Sequence, residues 1–214
     1  MNSEPCFKIL FVCTANLCRS QLAEVRFRRY LVSGSVVAVR SAGTHAIEGA
    51  TIPRRFAPVF EGTSSQALTA RQATSAGLAD ADLVLTMTRA QRADVVQILP
   101  RCVTYTYTLT QFVDIAEVAL REDSCLGASI AHQVEPGLLL DAVRGARVSQ
   151  RSHVARADIP DPAHGGLRRL RRVERTISDS VDRLATAFQI RSLVESSSVQ
   201  RRAVARRPAV DTVS

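Results

Sequence analysis

The first legible pattern along the chain is Phe7-Lys8-Ile9-Leu10-Phe11-Val12, apolar at all but one position and rich in β-forming residues. Such a run predicts a buried strand. Residues 20–31 then read as a helix, with Leu22, Val25, Phe27 and Tyr30 as candidate buried positions. Residues 36–40 form the second strand candidate, followed by Ser41-Ala42-Gly43-Thr44. A helix is expected over 53–61, stopped by Gly62, and a shorter one over 70–76. Residues 83–87 read as a third strand, preceded by Asp80 and Asp82. Thr88 can cap a helix running to Leu99, where Pro100 ends it. The fourth strand candidate is 103–108.

Helices over 111–121 and 138–146 are separated by a loop around Cys125, Gly127 and Pro136. Ile159-Pro160-Asp161-Pro162-Ala163-His164-Gly165-Gly166 is a strong loop signal. A long helix, 167–193, follows with arginines on one side. This layout gives one domain over 1–195, with an extended segment at 111–157, and a basic, disordered tail at 196–214. Strands alternating with helices predict a parallel sheet with helical crossovers.

Composition adds bounds. The 214 residues are enough for one packed domain, and 46% hydrophobic with 22% charged residues is a globular balance. Aromatics make up 5% and Trp is absent, so Ala, Val, Leu and Ile are expected to build most of the core. No apolar run reaches the length that spans a bilayer. Residues 1–8 carry Glu4 and lack the apolar stretch and cleavage site of a secretory signal, so a cytoplasmic protein with no membrane contact is expected.

The formal charge is +8, and Lys8 is the one lysine, so arginine supplies nearly all of it. Such charge attracts phosphorylated substrates and nucleic acid alike. No reading motif accompanies it, and no nucleic-acid partner is expected. The five cysteines (Cys6, Cys13, Cys18, Cys102 and Cys125) are odd in number and irregular in spacing. They form neither a disulfide framework nor a zinc pattern. Cys102 and Cys125 read as buried, inert thiols.

Cys13-Thr14-Ala15-Asn16-Leu17-Cys18-Arg19-Ser20 changes the picture. A loop between a strand end and a helix start can turn successive backbone N–H groups into one hollow, and the helix N-terminus adds positive potential. Such a hollow binds a phosphate dianion and stabilises a thiolate at its base. Arg19 supplies a planar fork for two phosphoryl oxygens. Ser20 can donate to the thiolate or to the departing sulfur.

These residues resemble the signature of low-molecular-weight protein tyrosine phosphatases. Ser41-Ala42-Gly43-Thr44, Ala70-Arg71-Gln72, Ala81-Asp82-Leu83-Val84-Leu85-Thr86-Met87 and Asp161-Pro162 resemble further segments of that family, in the same order. The resemblance implies a three-layer flavodoxin-like α/β fold with a central four-stranded parallel sheet and helices on both faces. It implies hydrolysis of phosphotyrosine, or of small aryl phosphate monoesters, with no metal or other cofactor. In it Cys13 is the nucleophile, Arg19 holds the phosphoryl oxygens and Asp161 is the general acid and base. Thr14, Ala15, Asn16, Leu17, Cys18 and Ser20 complete the phosphate-binding loop, with Asn16 fixing its shape. Cys18 either traps an oxidised Cys13 as a disulfide or simply packs.

Some positions depart from the family. Ala15 replaces a usual Gly and would strain the loop if that position needed a positive φ. Gln21 replaces a Pro that usually opens the helix, at little expected cost. Ala163-His164 replaces an aromatic pair, and residues 46–53 lack the aromatic wall of a phosphotyrosine slot. Leu17 stands where the phosphoarginine-directed branch resembles a Thr-bearing form, which favours an aryl phosphate. The connection from Thr108 to Asp161 is longer than the family's: a lid, a partner surface or an embellishment. His132, His153 and His164 read as surface residues, and His45, just after Ser41-Ala42-Gly43-Thr44, is a further candidate to line the site. Two other readings remain at this level: an arsenate reductase on the same fold, and a catalytically weak anion-binding or redox-sensing protein.

Overall fold

The computed structural model describes residues 7–32, 35–60, 68–122, 135–149, 158–163 and 165–188. Four strands, β1 (Phe7–Cys13), β2 (Val37–Gly43), β3 (Leu83–Thr86) and β4 (Thr106–Thr108), form one parallel sheet in the order β2-β1-β3-β4. The helices are α1 (Arg19–Arg28), α2 (Ser75–Ala79), α3 (Arg89–Ile98), α4 (Leu109–Glu122), α5 (Pro136–Ser149) and α6 (Leu167–Ala187). Short 3-10 turns occupy Arg54–Val59 and Pro100–Thr104.

Strand alternation divides the core into two layers. Phe7, Ile9, Phe11 and Cys13 face the side covered by α1, α4, α5 and α6. Leu10 and Val12 face the other side, against Leu78 of α2, Val95 of α3 and Cys102. The result is the three-layer flavodoxin-like α/β fold. β1 has β2 on one side and β3 on the other, so the chain reverses its direction of travel across the sheet at β1. The carboxyl end of a strand at such a switch point opens into a crevice. Cys13 ends β1 there.

On α6, Leu170, Val173, Ile177, Val181 and Leu184 are buried at helical spacing. Each such side chain stabilises the fold by roughly 1.5–3 kcal/mol relative to exposure. Ala, Val, Leu and Ile make up most of the buried core, as the composition implies, and aromatic rings fill its largest positions. Phe11, Phe27, Phe112, Phe188 and Tyr107 rank among its largest fully buried side chains. Phe112 meets Tyr107 edge-on at 5.4 Å and stacks on Phe188 at 6.3 Å.

Several elements differ from the sequence pattern. The helix expected over 53–61 is the 3-10 turn Arg54–Val59, because Pro58 inside it has no N–H to give to an α-helical ladder. Residues 70–73 are extended rather than helical. Gly43 donates to the Arg71 carbonyl and Ala73 donates to that of Gly43, each at 2.8 Å, so β2 recruits this segment. The helix starts later, capped by the Thr74 hydroxyl, which accepts from Gly77 N–H at 3.1 Å. Strand β4 is shortened to three residues by the 3-10 turn that Pro100 opens. Within the long connection, α5 is part of the core, with Leu139, Leu140 and Val143 buried against the rest. Gly62, residues 123–134, 150–157 and 189–193, and the tail lie outside the described residues.

Candidate active site

Residues 14–18 join the end of β1 to α1. Two backbone bonds hold the loop against the chain after β2: Thr44 N–H to Cys13 O at 2.9 Å, and His45 N–H to Thr14 O at 2.8 Å. Gly43 lies so close that an added Cβ would sit 2.8 Å from the Asn16 nitrogen, so only glycine fits. Among the described residues, the N–H groups of 14–18 donate to no protein acceptor. The first N–H groups of α1 lie next along the chain, adding the positive end of a helix.

Asn16 holds the loop's shape. Its φ of 51° is the one positive value among the described non-glycine residues, so Ala15 is not the strained position and needs no glycine. The Asn16 amide donates to Ser20 Oγ at 2.8 Å and to Ser41 Oγ at 2.9 Å, and its Oδ1 accepts from Arg71 N–H at 2.9 Å. Ser41 in turn donates to Glu24 at 2.5 Å. Glu24 is 1% exposed and pairs with Arg28 at 2.6 Å, with Arg71 at 3.9 Å. A buried carboxylate needs such partners. Thr14 is anchored from α3: Gln91 Nε2 donates to its hydroxyl at 2.9 Å, while Gln91 Oε1 accepts from Met87 and Thr88 N–H at 3.1 Å each.

Ser20 Oγ lies 3.0 Å from Cys13 Sγ, in a pair where either atom can donate. Cys18 is also a free, buried thiol. Burial first, and then the negative charges of Cys13 and Asp161, push its pKa up to about 12 against the opposing pull of Arg19 and Arg55. Cys18 is therefore a neutral thiol near neutral pH.

Arg19 is almost fully buried and donates to Ile159 O at 3.1 Å and Asp161 Oδ2 at 2.8 Å. The other Asp161 oxygen accepts from Ala163 N–H at 2.8 Å. Ile159 N–H bonds Met87 O at 2.8 Å, which ties this loop to the end of β3. The structure thus brings Cys13, Arg19, Ser20 and Asp161 together. The guanidinium bonds the Asp-Pro loop through Ile159 O and Asp161.

The sequence assigns no site role to Gln91, Ser41, Glu24 or Arg71, although Ser41 and Arg71 lie in segments that resemble the family. Thr88-x-x-Gln91 is a legible capping-box pattern, and both of its reciprocal bonds form. The pattern does not reveal that Gln91 also reaches Thr14. The expected low cost of Gln21 is revised: the residue is 1% exposed and its Oε1 has no hydrogen-bond partner. His45 is exposed, with Nδ1 3.0 Å from Thr44 Oγ1, while His132, His153 and His164 lie outside the described residues. Among the described residues no cluster of three or more His, Cys, Asp or Glu is placed to hold a metal ion. No described helix is long and apolar enough to cross a membrane.

The family model described as "Low molecular weight phosphotyrosine protein phosphatase" matches residues 8–122. The low molecular weight protein-tyrosine-phosphatase PtpB of Staphylococcus epidermidis is 35% identical over 85 residues, 40% of this chain and 59% of that protein. The chain thus spans about three fifths of the length of that curated relative. A protein-arginine-phosphatase of Geobacillus stearothermophilus is 33% identical over 108 residues, covering 50% of this chain and 72% of that one. Among solved structures, the YwlE arginine phosphatase of Geobacillus stearothermophilus superposes with a TM-score of 0.60 at 24% identity, covering 95% of this chain and 99% of that one. The tyrosine phosphatase Wzb of Escherichia coli K30, in complex with sulphate, gives 0.57 at 21%, covering 84% and 96%. At these identities the structural likenesses speak for the fold.

Proposed function

The chain belongs to the low molecular weight phosphotyrosine protein phosphatase family, and from that premise we propose that it hydrolyses phosphotyrosine, or a comparable aryl phosphate monoester, through a phosphorylated Cys13. The observation that carries this reading is the cluster itself. A buried Cys13 at the base of a loop with free amide donors has Ser20 3.0 Å from its sulfur and the buried Arg19 linked to Asp161 at 2.8 Å.

The steps follow from these atoms. The phosphoryl group enters the loop, and its oxygens take the 14–18 amides and the Arg19 guanidinium as donors. Arg19 exchanges its Asp161 bond for phosphoryl oxygens, which frees the carboxyl group to face the leaving oxygen. Cys13 Sγ attacks phosphorus opposite the ester oxygen; the P–O bond breaks as the S–P bond forms, and Asp161 supplies the proton to the departing aryloxide. Water, deprotonated by Asp161, then breaks the S–P bond and releases phosphate and the Cys13 thiolate. Ser20 stabilises that thiolate through its hydroxyl. The loop amides and Arg19 stabilise charge on the equatorial oxygens in both steps.

The matched family and the named relatives are phosphatases, which disfavours an arsenate reductase. Cys102 adds to that argument. It packs in the core layer on the other side of the sheet from Cys13 and Cys18, with its thiol directed at Val95 O, so it is not placed to relay a disulfide. Among the phosphatase substrates, the apolar, half-buried Leu17 in the loop favours an aryl ester over a guanidinium phosphate.

The test is hydrolysis of an aryl phosphate and of phosphotyrosyl and phosphoarginyl peptides by wild type, Cys13→Ser and Asp161→Asn. Wild type is expected to prefer the aryl esters, Cys13→Ser to be inactive, and Asp161→Asn to lose about 10²–10⁴ in kcat. An inert wild type, or one that cleaves the phosphoarginyl peptide alone, would refute this substrate assignment.

A further inference from the structure

On α6, Arg168, Arg169, Arg172 and Arg175 are exposed, and none has a carboxylate partner among the described residues. Glu174, the acidic residue beside them, is already held by Arg26 at 2.8 Å and Arg171 at 3.1 Å. The first turn of α6 contains no acidic residue. Cations at the positive end of a helix oppose its dipole, so the helix's own stability gives no reason for them. Leu167, 59% exposed, and Arg168, Arg171, Arg172 and Arg175 line an open concavity of about 430 Å³. The 3-10 turn Arg54–Val59 packs against α6, and the charge of its exposed Arg55 is felt at Cys18. A further exposed arginine thus lies on an element that packs against α6.

We propose that this stripe of α6 is a docking surface for an acidic segment of the phosphoprotein substrate, engaged while the phosphoresidue sits on the Cys13 loop. The inference rests on the phosphatase reading above and adds a substrate class to it. The distances are compatible. Seven residues separate Asp161 from Arg168, so at most about 25 Å of chain lies between them. Arg168, Arg172 and Arg175 rise along about 10 Å of one helix face. A peptide extended from the site reaches them with side chains about six to nine positions from the phosphoresidue. An acidic polypeptide suits the surface better than nucleic acid: α6 has no aromatic residue on which a base could stack.

The test uses the full chain, wild type and Arg168→Glu/Arg172→Glu/Arg175→Glu. These side chains are exposed, and Glu near a helix start is favourable, so the variant is expected to fold. The substrates are phosphotyrosyl peptides with four Glu, or four Gln, six to nine positions from the phosphotyrosine on either side, and a small aryl phosphate. Wild type is expected to prefer a Glu peptide by about tenfold in kcat/KM, through KM, with the preference shrinking at high salt. The variant is expected to lose that preference while its rates on the Gln peptides and the aryl phosphate stay within about twofold of wild type. Equal rates on Glu and Gln peptides by wild type, or equal losses on every substrate in the variant, would overturn the proposal.

Fluorescence anisotropy with the unphosphorylated Glu peptide separates this inference from the activity. Should no phosphate ester be cleaved, binding that the triple variant abolishes still supports the surface, and no binding by wild type refutes it. Tighter binding of a single-stranded RNA of equal charge, also abolished in the variant, would refute it in favour of a nucleic-acid surface.

Discussion

At the residue scale, the proposed mechanism turns on the partners of Arg19. Arg19 is buried and donates to Ile159 O and Asp161. In the proposed mechanism a phosphate dianion competes with that carboxylate for the guanidinium. Asp161→Asn therefore has two opposite effects: turnover falls, because the proton donor is gone, but inorganic phosphate binds more tightly, because its rival for Arg19 is weakened. Product-inhibition constants measured beside kcat check this, and weaker phosphate binding in Asp161→Asn would contradict it. Cys18 gives a second prediction. Its folded pKa is raised from an ordinary thiol value of 9.0 to about 12. Between those values the unfolded chain has lost a proton that the folded chain keeps. The contribution to stability is complete below about pH 8 and declines by up to about 1.4 kcal/mol per unit as pH rises toward 12. Urea denaturation at pH 8 and pH 10 is expected to show a smaller alkaline loss for Cys18→Ala than for wild type; equal losses would count against it.

At the element scale, the start of α1 is built for the site and not for the helix. Gln21 buries an unpartnered carbonyl oxygen in the first turn, an arrangement that costs about 1–3 kcal/mol. The Gln21 N–H has no acceptor among the described residues, so a proline there loses no bond. Gln21→Pro is expected to raise stability by about 1 kcal/mol with turnover retained, read from the denaturation midpoint and from aryl phosphate kinetics. A destabilised protein would show that Gln21 has a role of its own. Much of this level was legible from local pattern: β1, α3 and the Thr88 cap follow directly from the apolar run, periodicity and capping residues. Of the elements that differ from the pattern, two turn on local prolines, Pro58 and Pro100, and one on a distant partner. Residues 70–73 are extended because β2 offers them a hydrogen-bonding edge. The site showed the same division. The Cys13–Ser20 loop and Asp161 could be read from spacing and resemblance. Gln91 on Thr14, and Ser41 and Glu24 behind Asn16, bridge residues 17 to 77 positions apart and leave no local signature.

At the scale of the whole molecule, the order β2-β1-β3-β4 places the end of β1 at the switch point of the sheet. β1, from which the chain proceeds in both directions across the sheet, thus delivers Cys13 to the crevice, and the first helix delivers its positive end. The few aromatic residues are gathered into the core, where Phe7, Phe11, Phe27, Phe56, Phe112 and Phe188 are all buried. Charge is distributed in the opposite way. The net charge of +8 is carried almost wholly by arginine and includes the open stripe on α6, a distribution that attracts anions.

The central claim is that Cys13 becomes phosphorylated during turnover. The direct measurement is rapid mixing of the full chain with an aryl phosphate, acid quenching within the first turnover, and mass spectrometry of the peptide that contains Cys13. A phosphoryl group on Cys13 is expected, accumulating with a burst of aryl alcohol and missing from Cys13→Ala. Steady hydrolysis with Cys13 unmodified at every quench time, or undiminished in Cys13→Ala, would contradict the account.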